Sequence, residues 1–200
     1  MTGESNGRVV LIFGPNCAGK STFGRDLAEQ MARSALIEVD DLHHMVVGGL
    51  VAWSGGIMPS ERPDEYKRQC HLALTQAVGL VYSFADAGFA SVLTSLDEDC
   101  LPASGWARSS FPDFRVSNVV VLCDERTLVH RWKERGWPEN QLLEAALDHL
   151  GRYRSMTSQF DWVVDTSGGD AHPPAASVAP RLSESSREIG GWNALLRIRS

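Results

Sequence analysis

The chain has 200 residues, 43% of them hydrophobic and 22% charged, with a formal net charge of −6 at pH 7. That size and balance suit one globular domain with its own core and exclude a collagenous, disulfide-stapled or low-complexity chain. The acidic balance argues against a nucleic-acid partner, since backbone binding needs a basic face, and no apolar run reaches the length of a membrane span.

Residues 1–7 carry no basic-then-apolar leader pattern, so a cytoplasmic protein is expected. Val9, Val10, Leu11, Ile12 and Phe13 form an apolar run that reads as a buried strand of a parallel sheet. It feeds directly into Gly14, Pro15, Asn16, Cys17, Ala18, Gly19, Lys20, Ser21 and Thr22, which have the G-x-x-x-x-G-K-[ST] spacing of a phosphate-binding loop, the P-loop. The two glycines let the backbone wind so that successive N–H groups point inward. A helix starting near Lys20, with Phe23, Leu27 and Met31 at helical spacing, adds its positive dipole end. These nine residues are the candidate ATP site, with Lys20 on the β- and γ-phosphates and the Ser21 hydroxyl on Mg²⁺. Cys17 reads as a small tolerated side chain. With Cys70, Cys100 and Cys123 it makes no C-x-x-C pair, which argues against a zinc site or a disulfide framework.

Residues 35–39 read as a second strand with Asp40 and Asp41 at its carboxyl end, where open parallel sheets bind ligands. Phosphoryl transfer to an alcohol needs a carboxylate that orients the hydroxyl and accepts its proton, and Asp40 is the candidate base. The alternative is that one of the pair caps a helix beginning near Leu42. Residues 42–63 hold two Gly-Gly pairs and two prolines among apolar groups, an expected acceptor-pocket insertion lined by Trp53, Ile57 and Met58. Adjacent helical residues diverge, so only one of His43 and His44 is expected to face the site. Asp41, His43 and Trp53 join Asp40 as candidate substrate contacts. Residues 64–84 read as an amphipathic packing helix.

Residues 88–94 read as a third, central strand. It ends in Thr94 and Ser95 where many P-loop proteins place an aspartate for Mg²⁺, so that task is unfilled, shifted to Asp97, or taken over through water by Asp40. Residues 116–123 read as the fourth strand. The helix that follows opens acidic and closes basic, with Arg131 and Arg135 four apart on one face. The two guanidiniums are candidates to clamp the transferring phosphoryl group, the alternative being helix-end salt bridges to Glu134 and Glu139. Residues 131–140 read as a lid with its tip at Gly136. A helix from Gln141 to about Met156 and a fifth strand ending at Asp165 complete the pattern, with residues 166–168 expected to line the adenine. Residues 1–170 are thus expected to form one domain and 171–200 a docked or partly disordered tail.

Residues 14–22, then Val39-Asp40-Asp41-Leu42, then the Arg131/Arg135 helix, then Val164-Asp165-Thr166-Ser167 resemble the small-molecule kinase branch of the P-loop fold. The likeness is to proteins of the chloramphenicol phosphotransferase and tunicamycin-resistance type, and more distantly to gluconate and shikimate kinases. It implies an α/β P-loop NTPase three-layer sandwich with a mainly parallel five-stranded sheet, like nucleoside-monophosphate kinases with a lid. It also implies ATP- and Mg²⁺-dependent phosphorylation of a hydroxyl on a small molecule, an antibiotic or secondary metabolite, with Asp40 as base. Similarity to the Asp-x-Leu-His segment of gluconate kinases implicates His43 in holding the acceptor. A nucleotide or polynucleotide 5′-hydroxyl kinase and a non-catalytic ATP-binding switch are the alternative readings.

Overall fold

Burial of β-branched and leucine runs organises the chain into one five-stranded sheet in the computed structural model, which describes residues 7–51, 63–96, 98–138 and 141–167. The strands are β1 (Arg8–Phe13), β2 (Ser34–Glu38), β3 (Ala90–Thr94), β4 (Arg115–Leu122) and β5 (Trp162–Asp165). The helices are α1 (Lys20–Glu29), α2 (Val39–His44), α3 (Asp64–Asp86), α4 (Trp106–Ser110), α5 (Glu125–Glu134) and α6 (Gln141–Ser155). Every strand pair is parallel, in the spatial order β2-β3-β1-β4-β5. The expected α/β fold is therefore present, with β1 rather than β3 at the centre. Residues Val9 to Phe13 have no exposed surface, because helices cover both faces of a parallel sheet.

The crossover from β1 to β2 runs one way along the sheet and that from β2 to β3 runs back. Right-handed connections then place α1 and α3 on opposite faces, giving three layers. The packing sides are legible locally: α1 buries Phe23, Leu27 and Ala28, and α3 buries Ala73, Ala77 and Val81 at four-residue spacing. Beyond β1 the chain leaves toward β2 on one side, while β4 lies on the other. The carboxyl end of β1 is thus the point where such sheets open a crevice.

Two boundaries differ from the sequence expectation near this crevice. Strand β2 ends at Glu38 and Val39 already belongs to α2, so Asp40 and Asp41 lie in the first turn of that helix instead of ahead of it. Strand β3 starts at Ala90, since Gly88, at φ +79°, still turns the chain out of α3. Trp53, Ile57, Met58, Asp97, Glu139, Gly168 and residues 171–200 lie outside the described residues. Among the described residues no helix is long and apolar enough to cross a membrane.

Candidate active site

The turn after β1 requires glycine at its two ends. Gly14 has φ +140°, and a Cβ there would be driven into the Val121 carbonyl oxygen of β4; Gly19, at φ +93°, caps α1. Between them Cys17 takes φ +63°, a left-handed conformation that costs a non-glycine residue about 1–2 kcal/mol. The Ala18 N–H donates to Pro15 O at 3.3 Å, and Lys20 Nζ folds back to donate to the same oxygen at 2.9 Å. The first N–H groups of α1 have no partner within the helix and face the crevice end of the sheet. Cys17 is buried, and that burial pushes its thiol pKa up against the pull of Arg135, Lys20 and Arg131. A protonated, enclosed thiol fits the reading of a small tolerated side chain.

Burial pushes the Lys20 ammonium down from 10.5 to about 8; Asp40 and Cys17 oppose the shift and Arg135 adds to it. Lys20, Asp40 and Arg135 thus feel one another across the mouth of the loop. Between these two pH values the unfolded chain holds a proton that the folded chain lacks, so this group adds stability as pH rises through the window. Wild type is expected to gain stability relative to Lys20→Met between about pH 7.5 and about pH 9.5, read by urea unfolding at both values. Equal changes in the two proteins would mean that the ammonium is not held against its charge.

Strand β2 contributes a residue that sequence reasoning missed. The Ser21 hydroxyl, the expected Mg²⁺ ligand, donates to Glu38 Oε2 at 2.8 Å, and Arg25 Nη2 lies 4.0 Å from the other carboxylate oxygen. Glu38 stands directly opposite Thr94 in the β2–β3 register, so an acid missing from the end of β3 is present at the end of the neighbouring strand. Thr94 itself is buried, its hydroxyl without a hydrogen-bond partner among the described residues. Among the described residues no three His, Cys, Asp or Glu side chains cluster tightly enough to hold a metal alone. One hydroxyl and one carboxylate with water fit Mg²⁺, which retains much of its hydration shell. The signal for Glu38 was available as the one acid within the segment read as the second strand, next to its carboxyl end.

Asp40 and Asp41 are both exposed, at the rim of the crevice. Of the two histidines, His43 is the inward one: it is buried edge-on against Tyr66 of α3, with ring centroids 5.4 Å apart, and its Nε2 meets no hydrogen-bond partner among the described residues. Burial pushes its pKa down, so the ring is held neutral. His44 is exposed and bonds through Nδ1 to Asp40 O at 2.7 Å. The chain beyond α2 is clamped by Gln69 of α3, which accepts from Val51 N at 2.9 Å and donates to Gly49 O at 2.9 Å. No sequence signal marks Gln69, one polar residue on a long amphipathic helix. Met45 and Val47, in the segment it anchors, are 71% and 91% exposed.

Helix α5 is capped by Asp124, which accepts from Thr127 N at 2.6 Å; that bond holds the carboxyl below its usual range. Its two arginines part company. Arg131 points beneath the loop, donating from Nη1 to Thr166 Oγ1 at 2.9 Å and from Nη2 to Thr166 O at 2.8 Å. Arg135 stays exposed, with Cζ 5.0 Å from the centre of the Trp137 ring, while its charge acts on Lys20 and Cys17. Glu134, the expected salt-bridge partner of one of them, pairs with His130 at 3.3 Å instead. The expected lid tip is anchored at Gly136 to Pro138: buried Trp132 donates from Nε1 to Pro138 O at 3.0 Å and meets Trp137 edge-on at 4.8 Å. Thr166, expected to line adenine, is 1% exposed, and Ser167 is drawn to Asp124 N at 2.7 Å.

Comparison with solved structures finds the same fold in several proteins. The tunicamycin resistance protein of Deinococcus radiodurans is 18% identical, with a TM-score of 0.58 over 90% of this chain and 95% of that one. Shikimate kinase from Acinetobacter baumannii is 18% identical, with a TM-score of 0.52 over 91% and 93%. A chain of the Pnkp1/Rnl/Hen1 RNA repair complex is 16% identical, with a TM-score of 0.55 over 80% of this chain and 49% of that one. No curated protein matches the sequence. The family model described as an AAA domain matches residues 9–158, most of the chain, from β1 and the loop through the arginine helix to the end of α6, with β5 beyond the match. With its glycine-framed loop, Lys20 and Ser21 seated at the crevice of a five-stranded parallel sheet, the chain belongs to the AAA domain family and shares its fold with the shikimate kinase above.

Proposed function

We propose that the protein is an ATP- and Mg²⁺-dependent phosphotransferase that phosphorylates a hydroxyl of a small molecule, an antibiotic or other secondary metabolite being the class it serves. The observation that carries the reading is the exposed Asp40 carboxylate within electrostatic reach of the half-buried Lys20 ammonium at the mouth of the phosphate loop. Loop amides and Lys20 bind the polyphosphate, Ser21 and Glu38 supply hard oxygens for the ion, and Arg135 covers the transferred group. Mg²⁺ held at Ser21 and Glu38 would supply neutralisation of phosphate charge. Asp40 orients the acceptor hydroxyl and takes its proton as the new O–P bond forms and the bond to ADP breaks, giving a phosphate ester and ADP. Exposed Met45 and Val47 beside α2 favour an acceptor with an apolar portion.

The test is ADP release with Mg²⁺-ATP against aromatic and nucleoside antibiotics, sugars, nucleosides and 5′-hydroxyl oligonucleotides, with the stimulating compound checked by mass for one added phosphate. Turnover on oligonucleotides alone would favour the second reading, a polynucleotide 5′-hydroxyl kinase, which the fold likeness to an RNA repair complex keeps in view. The net charge of −6 weighs against it. ATP binding with no acceptor turnover would favour a nucleotide switch.

Glu38→Gln is expected to raise the Mg²⁺ concentration for half-maximal turnover about ten- to a hundredfold, since a partner of a metal ligand typically has that leverage. Metal-free ATP binding should stay within about twofold by the same logic. A Mg²⁺ titration of initial rates decides it, and an unshifted midpoint would send the metal role to another acid.

A further inference from the structure

We infer, on the reading of this loop as a polyphosphate site, that Thr166 and Arg131 are positioning residues that set the peptide planes of the loop from beneath. Thr166 follows β5 and is 1% exposed. Its hydroxyl lies 2.7 Å from Ala18 O and 3.1 Å from Leu122 O, and accepts from Arg131 Nη1 at 2.9 Å. A hydroxyl has one proton. With a guanidinium N–H already directed at the oxygen, that proton goes to a carbonyl, and the shorter contact is Ala18. Arg131 fixes the threonine in turn through Nη2 to Thr166 O at 2.8 Å, and Nη1 also reaches Cys17 O at 3.4 Å.

The consequence follows from the planarity of the peptide bond. In a trans peptide the carbonyl and the next N–H point in opposite directions. Drawing Ala18 O down onto Thr166 therefore turns the Gly19 N–H up into the concave side of the loop, where a phosphate oxygen would meet it. Drawing Cys17 O toward Arg131 likewise turns the Ala18 N–H inward, and it is found on Pro15 O at 3.3 Å. The loop needs such an outside anchor, because Cys17 at φ +63° is held in a conformation that an L-residue does not favour by itself. Arg131 directs its fork to this task, which leaves Arg135, four residues on, as the arginine available to the transferred group.

The test uses Thr166→Val, which keeps shape and removes the hydroxyl, Thr166→Ser, which keeps the hydroxyl, and Arg131→Lys, which keeps the charge and removes the fork. The probe is inorganic tripolyphosphate, with affinity measured by calorimetry and the urea unfolding midpoint measured on the same samples. Thr166→Val is expected to weaken tripolyphosphate binding about tenfold or more, because a buried carbonyl and a guanidinium N–H both lose their partner. Arg131→Lys should show a similar loss, and Thr166→Ser should remain within about threefold of wild type on the same reasoning. Unchanged affinity in Thr166→Val, whatever its stability, overturns the inference, as does a loss in Thr166→Ser equal to that in Thr166→Val. Should Thr166→Val not fold, Arg131→Lys decides by the same readout. Weakening confined to Arg131→Lys would instead show that Arg131 touches phosphate directly. Wild type that binds tripolyphosphate but phosphorylates no acceptor would sink the kinase reading and leave this one standing; wild type that binds no polyphosphate overturns both.

Discussion

Asp40→Asn is expected to lower phosphoryl transfer about a hundredfold to ten-thousandfold, with ATP affinity within a few-fold of wild type. The substitution keeps the side chain's size and its place in the first turn of α2, and removes only the ability to take a proton. Helix α2 is fixed independently of that group: His43 packs on Tyr66, and Glu38 at the helix start is bonded to Ser21. Backbone damage therefore does not explain a large effect. The loss should fall on kcat, because proton acceptance matters in the transition state and little in the ground state. A second signature comes from Lys20. Asp40 is the largest influence raising the Lys20 pKa against burial, so removing the carboxylate should move the basic limb of the activity profile to lower pH. A steady-state profile across the neutral to alkaline range checks both. An Asp40→Asn enzyme with an undiminished rate would remove Asp40 as base and pass the role to Asp41, its exposed neighbour in the same turn.

Trp132→Ala should have the largest effect on stability, a loss of about 3–5 kcal/mol. Trp132 has no exposed surface, and its ring and its N–H act in different places. The ring fills the core beneath α5 and lies nearly perpendicular to the Trp137 ring with centroids 4.8 Å apart, while the indole N–H donates to Pro138 O at 3.0 Å. Truncation leaves both a cavity and an orphaned carbonyl, and the segment that carries Trp137 loses its anchor. Because Arg135 lies over Trp137, turnover should fall further than the populated native state accounts for. Urea unfolding followed by circular dichroism gives the stability change, and kcat measured well below the unfolding midpoint gives the second effect. Trp132→Phe, which restores most of the volume and none of the N–H, should recover most of the stability and only part of kcat. Full recovery of kcat in that variant would mean that the Pro138 bond does not matter to the position of Arg135.

Both predictions bear on features with different histories in the sequence. The loop at Gly14 to Ser21, the five strands and the arginine helix were legible because each is written in short-range terms: a glycine spacing, an apolar run, a four-residue interval. Asp40 was legible because it follows a strand, although the turn of helix that begins at Val39 was hidden by the β-branched residue, which reads locally as strand. The interval between Arg131 and Arg135 correctly put Arg131 on α5 and Arg135 at its C-terminal cap, but could not tell their tasks apart.

What the sequence alone determined, then, is the element order, the α/β class and the phosphate loop with its lysine, because these depend on contacts within a few residues. The tertiary structure alone decided that β1 is central, which places its loop at the crevice, and that Glu38 faces Thr94 across a strand pair to stand near Ser21. It alone decided that Arg131 meets Thr166, 35 positions away, under a carbonyl of the loop. Such pairings are set by strand order and register, and these follow from which faces must be buried together across the whole chain, a balance that no window of sequence contains.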